Sequence, residues 1–214
     1  MRAPPTVTGS GGGRSAHGRR VPVVGAAALA AVAGSYLAVR SGHSDALDRP
    51  IGRCLAGAAP RRGDRIVAVA TDLGSSFGLA GVSTVLAVTG RRRAAREVGL
   101  AGSLAWALAQ GIKPALGRAR PYELGTAARL VSPPAGSSWP SGHAAVAAAM
   151  AASLASVGGR PLAPLAAVGA VAVGASRVAV GVHHASDVVA GLGVGVLAAE
   201  LGRAILRRVP GAAG

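Results

Sequence analysis

Residues 139–157 read WPSGHAAVAAAMAASLASV. From Ala144 onward the stretch is alanine and valine, varied only by Met150, Ser153, Leu154 and Ser156, and it carries no charge. A helix that is apolar all round is buried in protein or in lipid. Its start is of another kind: Pro140, Ser141, Gly142 and His143. A proline and a glycine at a helix start leave backbone N–H groups unpaired, and these, with the serine hydroxyl, form an anion site. His143 then sits in the first turn and faces any anion bound there. An N-cap serine beside an incidental histidine has the same four residues, so the rest of the chain has to decide.

Composition sets the solvent. Of 214 residues, 50% are hydrophobic and 14% are charged, against about 25% charged in a typical soluble domain. The apolar residues come in long blocks, which points to one membrane bundle rather than soluble domains. The formal net charge is +15. Nucleic-acid binders place such charge on polar surfaces among stacking aromatics. Here aromatics are 2% and arginines punctuate apolar runs, so nucleic acid is excluded. Anionic headgroups or a phosphorylated substrate fit instead. The single cysteine, Cys54, rules out an internal disulfide framework and any cysteine-based zinc site.

The blocks predict an all-α, polytopic membrane helical bundle of about six transmembrane helices. Residues 1–20, rich in Gly, Pro, Ser and Arg, form a disordered N-terminal tail. Residues 21–65 hold a first transmembrane helix, Val21 to Val39, and a polar connection that can carry an interfacial helix. The basic-then-apolar start has the shape of a signal peptide, but the run is long for one, and a retained helix is expected. His43, Asp45 and Asp48 read as solvated loop residues, since nothing completes a metal site around them. A core over 66–208 contains spans near Ser75–Thr89, Val98–Ile112, Gly142–Val157, Leu162–Val182 and Val188–Leu206. Residues 209–214 form a C-terminal tail. Gly and Ala dominate the spans, which lets helices in lipid approach closely.

Three clusters carry chemistry. Lys113 is the one lysine among 23 basic residues, and it opens KPALGRARP, residues 113–121, at the end of the third span. The second cluster is Pro140–His143, at the start of the fourth span. The third is SRVAVGVHHASD, residues 176–187, between the fifth and sixth. His183 and Asp187 are four apart and share a helix face, so the carboxylate can fix the imidazole tautomer and leave the other ring nitrogen free. His184, three from Asp187, satisfies the same geometry. Taken singly, each cluster also reads as a headgroup anchor, a helix cap or interface histidines. Topology joins them. The first closes one span and the second opens the next, so both lie on one membrane face. The chain then crosses and returns, which brings the third to that face as well.

The combined pattern is Lys113, six residues, Arg120-Pro121; then Pro140-Ser141-Gly142-His143; then Ser176-Arg177, five residues, His183, three residues, Asp187. It resembles the type-2 phosphatidic acid phosphatase superfamily, which includes lipid phosphate phosphatases, bacterial acid phosphatases and vanadium haloperoxidases. The resemblance covers about Ile66 to Leu206. It implies catalytic roles for His183 as nucleophile, Asp187 as its orienting partner and His143 as acid and then base. It implies phosphate binding by Lys113, Arg120, Ser141, Gly142 and Arg177. It selects His183 over His184 and Arg120 over Arg118. It implies no cofactor and no metal, and a lipid phosphate substrate met at the membrane.

Other readings have less behind them. A haloperoxidase is disfavoured by the membrane-spanning character, and a vestigial site by the completeness of the pattern. A serine hydrolase lacks the Gly-x-Ser-x-Gly elbow. With the N-terminus inside, 12 basic residues lie on the inner side, against 8 outside once Lys113, Arg120 and Arg177 are set aside. The positive-inside rule then puts the site on the external face. Neither the particular lipid nor the oligomeric state is written in the sequence.

Overall fold

The computed structural model describes residues 15–57, 71–158 and 161–208. These residues form α1 (Ser15–Arg40), α2 (Asp45–Gly57), α3 (Ser76–Val88), α4 (Arg92–Ile112), α5 (Gly142–Gly158), α6 (Leu162–Ala179) and α7 (Ala185–Leu206), with a 3-10 turn at Lys113–Ala115. The all-α expectation holds, and no strand occurs among the described residues.

Local chemistry sets the boundaries. Gly42 takes φ 76° after α1, a conformation that suits glycine. Asp45 and Asp48 sit in the first turn of α2, where carboxylates complement the helix dipole. The Ser75 side chain accepts from the Gly78 N–H and caps α3. Pro114, without an N–H, meets the end of α4, and the chain tightens into the 3-10 turn that holds Lys113. In α7, His184 is the N-cap and the Asp187 side chain reaches back to its backbone N–H.

Two expected boundaries move. Arg91–Arg93 does not close a span alone: α4 starts at Arg92 and carries Arg92, Arg93, Arg96 and Glu97 in its first turns. The span expected over Leu162–Val182, α6, stops at Ala179, because Gly181 turns the chain at φ 75°. Residues 45–57 of the polar connection form a full helix, while 58–65 lie outside the described residues, as do most of the two tails. Among the described residues, three helices are long and apolar enough to cross a membrane: Val23–Arg40, Leu162–Ala179 and Ala185–Leu206. Ser76–Val88 and Gly142–Gly158 are apolar but shorter.

Helix α5 is the hub. It packs against α4, α6 and α7, and α7 packs in turn against α1 and α4. The central core is small-residue packing: Ala101, Ala105 and Ala109 of α4 meet Ala145 and Ala149 of α5 and Val194, Ala198 and Ala199 of α7. Bulkier contacts lie to one side, where Leu79 and Leu86 of α3 pack on Val98, Val146 and Met150. Close approach of α5 and α7 needs glycine at 191 and 195. A Cβ at Gly191 would collide with the Ser141 carbonyl oxygen, and one at Gly195 with that of Ala145. This proximity locks the first turn of α5 against the first turn of α7, which carry His143 and Asp187.

Gly195→Ala should therefore lower the melting temperature of the detergent-solubilised protein by about 2–10 °C, as expected for overpacking a tight core. Gly169→Ala, where an added Cβ meets nothing within 4 Å, should shift it by no more than about 1 °C. Equal shifts for the two would contradict the close α5–α7 contact.

Candidate active site

The three clusters meet at one end of the bundle. His183 sits in the turn between α6 and α7, and its backbone N–H donates to the Arg177 carbonyl at 3.3 Å. Its side chain is 3% exposed, with Nδ1 3.6 Å from Asp187 Oδ2. That is longer than a hydrogen bond, and Nδ1 is a buried atom with no partner among the described residues. His184 Nδ1 lies closer to the same oxygen, at 3.3 Å. The carboxylate contact therefore does not separate the two histidines, but their surroundings do. His184 caps α7 and is partly exposed, whereas His183 is buried within the electrostatic reach of Arg120 and Arg177.

His143, in the first turn of α5, lies within electrostatic reach of Arg177, His183, Lys113 and Arg120. The predicted site residues thus converge. Burial pushes His183 down to about 4, against the pull of Asp187 and with the added push of Arg120 and Arg177. Its imidazole is neutral at physiological pH and keeps a lone pair on one nitrogen. Burial, with the Arg120 charge, also pushes Lys113 down to about 8, while Asp187 acts the other way.

The cations are held in different ways. Arg177 is 3% exposed, and its Nε is a buried donor without a partner; its guanidinium has no acceptor among the described residues. A buried cation left so is strongly unfavourable unless an anion joins it. Lys113 Nζ donates to the Ser137 carbonyl at 2.6 Å, which leaves two of its three N–H groups. Arg120 is more occupied than the sequence suggests. Its Nη1 donates to the Val182 carbonyl at 2.8 Å, while Nε and Nη2 donate to carbonyls of residues 135–137. It therefore also clamps the loop before Pro140 onto the turn that carries His183.

Ser141 is fully buried. Its N–H donates to the Asp187 carbonyl at 3.0 Å, and its hydroxyl accepts a long 3.4 Å bond from the Ala144 N–H. The capping reading of Ser141 is thus met in part. The Gly142 and His143 N–H groups have no protein acceptor among the described residues, and they lie at the positive end of the α5 dipole. Nothing occupies the space where a Gly142 side chain would be.

Four residues that sequence reasoning left out also bear on the site. Asp187 is fully buried; Arg118 Nη1 donates to its Oδ1 at 2.5 Å and Ser138 Oγ to its Oδ2 at 2.5 Å. Asp48 is 6% exposed, which corrects its reading as a solvated loop residue. It accepts from Arg118 Nη2 at 2.6 Å and from the Ser186 N–H at 2.8 Å. His43 and Asp45 are exposed, as expected. Asp72, beside the close-packed Gly74, lies within electrostatic reach of Arg177. Ser138 adjoins a recognised motif and Arg118 lies inside one, so both were open to inspection. Nothing local marks Asp48.

The PAP2 superfamily profile matches residues 94–209, more than half of the chain, and the chain belongs to that superfamily. Its fold is similar to that of the first transmembrane PAP2 type phosphatidylglycerolphosphate phosphatase from Bacillus subtilis, at 23% identity and a TM-score of 0.71. That match covers 87% of this chain and 98% of the other. The fold is also similar to LpxE of Aquifex aeolicus, at 23% identity and a TM-score of 0.65, covering 74% of this chain and 95% of that one. No curated protein matches the chain. Family, fold and apolar helices together make this a membrane protein.

An anion site that depends on Lys113 should weaken as that lysine deprotonates. Orthovanadate, a phosphate mimic, should bind the purified protein more weakly above about pH 8, because the ammonium charge is lost as pH rises through that value. Lys113→Arg, which keeps its charge, should move the loss upward by a pH unit or more. Calorimetric titrations at pH 7 and 9 would measure this. An unchanged pH dependence in the variant would remove Lys113 from the site.

Proposed function

We propose that this chain is an integral-membrane phosphatase that hydrolyses a lipid or polyprenyl phosphate or diphosphate through a phosphohistidine intermediate. One observation carries the reading: the buried Arg177 guanidinium without an acceptor, beside a buried neutral His183 and within reach of His143. A phosphoryl group would supply the missing acceptors and place phosphorus between the two imidazoles. The phosphatidylglycerolphosphate phosphatase named above makes a phospholipid phosphomonoester a natural first substrate to test.

In the first step the free lone pair of His183 attacks phosphorus, an N–P bond forms and the P–O bond to the lipid breaks. His143, in its doubly protonated form, donates one proton to the leaving oxygen and becomes neutral. In the second step His143 takes a proton from water, the hydroxide attacks phosphorus, and the N–P bond breaks to release inorganic phosphate and restore His183. Asp187 holds the His183 tautomer and stabilises the positive charge that grows on it. Lys113, Arg120 and Arg177, with the Gly142 N–H and Ser141, hold the equatorial oxygens, where preorganised charge does most for phosphoryl transfer. No step calls for a metal, and no cluster of three or more His, Cys, Asp or Glu suited to one occurs among the described residues.

We also propose that the chain crosses the membrane several times with the site on the external face. The C-terminal end of α1, the N-terminal end of α7 and α2 meet at the site, so α2 lies along the same rim.

Phosphate release from a panel of lipid phosphates and diphosphates should persist in EDTA; loss on chelation with recovery on added magnesium would contradict the metal-free route. His183→Ala should leave no acid-labile phosphoenzyme under rapid quench, and Asp187→Asn should slow its formation by about 10²-fold or more. Undiminished labelling in His183→Ala would assign the nucleophile elsewhere, His184 first. For orientation, Ala128→Cys in a Cys54→Ser background should react with an impermeant maleimide added outside intact cells. Labelling only after lysis would invert the topology.

A further inference from the structure

The Asp187 carboxylate is held by more than its own helix. Arg118 bridges two buried acids. Its Nη1 donates to Asp187 Oδ1 at 2.5 Å and to Ser186 Oγ at 2.7 Å; its Nη2 donates to Asp48 Oδ2 at 2.6 Å and to Ser44 Oγ at 3.1 Å. The guanidinium is itself largely buried, its side chain 13% exposed. Asp48 is fixed in turn, with Oδ1 accepting from the Ser186 N–H and Oδ2 from the Ser186 hydroxyl. Ser44 and Asp48 belong to the α1–α2 region, outside the stretch that matches the family profile. Ser44 and Asp48 lie outside every motif, and Arg118, inside the first, is not one of the residues that the resemblance selects.

We propose that Arg118 is a positioning residue for the Asp187–His183 pair, and that Asp48, on α2, positions Arg118. With Oδ1 pinned by Arg118, Oδ2 is turned toward the histidines, where it sits between the His184 N–H at 2.8 Å and His183 Nδ1 at 3.6 Å. The bridge also sets how strongly Asp187 acts on His183. An arginine shared between two carboxylates neutralises each in part, so Asp187 pulls a proton onto His183 less than a lone carboxylate would. A bidentate guanidinium does this where an ammonium cannot, because its flat fork reaches both acids at once. Burial works against the charge on Arg118, but Asp187 and Asp48 outweigh it and hold its pKa above the ordinary value. The inference rests on the reading of His183 as nucleophile, and it makes α2 part of the active site.

The charged and titratable groups that face His183 are Asp187 and His184 from the start of α7, Arg177 from α6, His143 from α5 and Arg120 from the loop before α5. Arg118 and Asp48 stand behind Asp187. Removing Arg118 leaves Asp187 with its full pull, which favours the imidazolium and raises the His183 midpoint from about 4.

The test uses the full-length protein in dodecylmaltoside with dioctanoyl phosphatidic acid as substrate and ¹³C-labelled histidine for NMR. The His183 resonance is assigned by its loss in His183→Asn. Arg118→Gln should lower kcat roughly 10–100-fold with little change in KM, as loss of a partner that orients a reacting group does, and raise the His183 midpoint by about one pH unit. Asp48→Asn added to Arg118→Gln should cost less than about threefold more, because it acts through a residue already gone. If Arg118→Gln does not fold, Arg118→Lys replaces it. The lysine keeps a charge near Asp187 but cannot bridge, so kcat should fall while the midpoint stays near that of the wild type. An unmoved midpoint in Arg118→Gln, wild-type kcat in Arg118→Lys, or fully multiplicative losses in the double variant would overturn the proposal. Failure of the nucleophile reading shows separately, as wild-type turnover by His183→Ala.

Discussion

A carboxylate with no exposed surface constrains this structure more than any other group. Asp187 lies at the start of an apolar helix, where an uncompensated charge would be strongly unfavourable. The fold answers with donors from across the chain. Arg118 and Ser138 come from the loop before α5, and the His184 N–H comes from the cap of α7. The Asp187 carbonyl also receives the Ser141 N–H. Satisfying one acid therefore fixes the loop, the first turn of α5 and the first turn of α7 relative to one another. Those are the segments that carry both histidines and the N–H groups of Gly142 and His143 that have no acceptor among the described residues.

Small side chains make that arrangement possible. Alanines fill the α4–α5–α7 core, and glycines 191 and 195 let α7 approach the backbone of α5. Close backbone approach serves helix association in lipid, where apolar burial by itself provides no drive. It also transmits position. Two helices in backbone contact cannot slide without collision, so the spacing between His143 and Asp187 is set by packing rather than by loops. At the C-terminal end of α1, Ser35 donates to the Ser186 carbonyl and accepts from the Trp139 indole, and Tyr36 packs edge-on against Trp139. The first helix thus braces the site from outside the matched family region.

Much of this was legible in the sequence, for a physical reason. The clusters stand at the ends of apolar runs, and the alternation of crossings forces those ends to one rim whatever the helix boundaries are. The boundaries themselves were less legible. Arg91–Arg93 can end one helix or begin the next, and Gly181 ended α6 before the apolar run did. Partnerships over long separations were not legible at all. Asp48 and Arg118 are 70 residues apart, and nothing in the local pattern distinguishes Asp48, which is buried, from Asp45, which is solvated. Arg120 was expected among the phosphate ligands, yet most of its donors hold backbone carbonyls. Residue type identifies a cation, but only the fold says what its N–H groups already hold.

The charge balance at the rim argues for the same ligand as the geometry does. Lys113, Arg118, Arg120 and Arg177 are buried or nearly so, and the buried acids among them are Asp48 and Asp187. Leaving the imidazoles aside, two positive charges are left over, the charge a fully ionised phosphate monoester would cancel. The excess is unevenly placed. Arg118 is matched by its two acids, and Arg120 is solvated by carbonyls. Arg177 faces only the exposed Asp72 at a distance, and has no acceptor of its own among the described residues. The uncompensated charge therefore lies on the side of the site that holds His143 and His183, both within its electrostatic reach. A low-dielectric pocket strengthens such a field and keeps its donors fixed, so an arriving phosphoryl group would find its counter-charge already assembled.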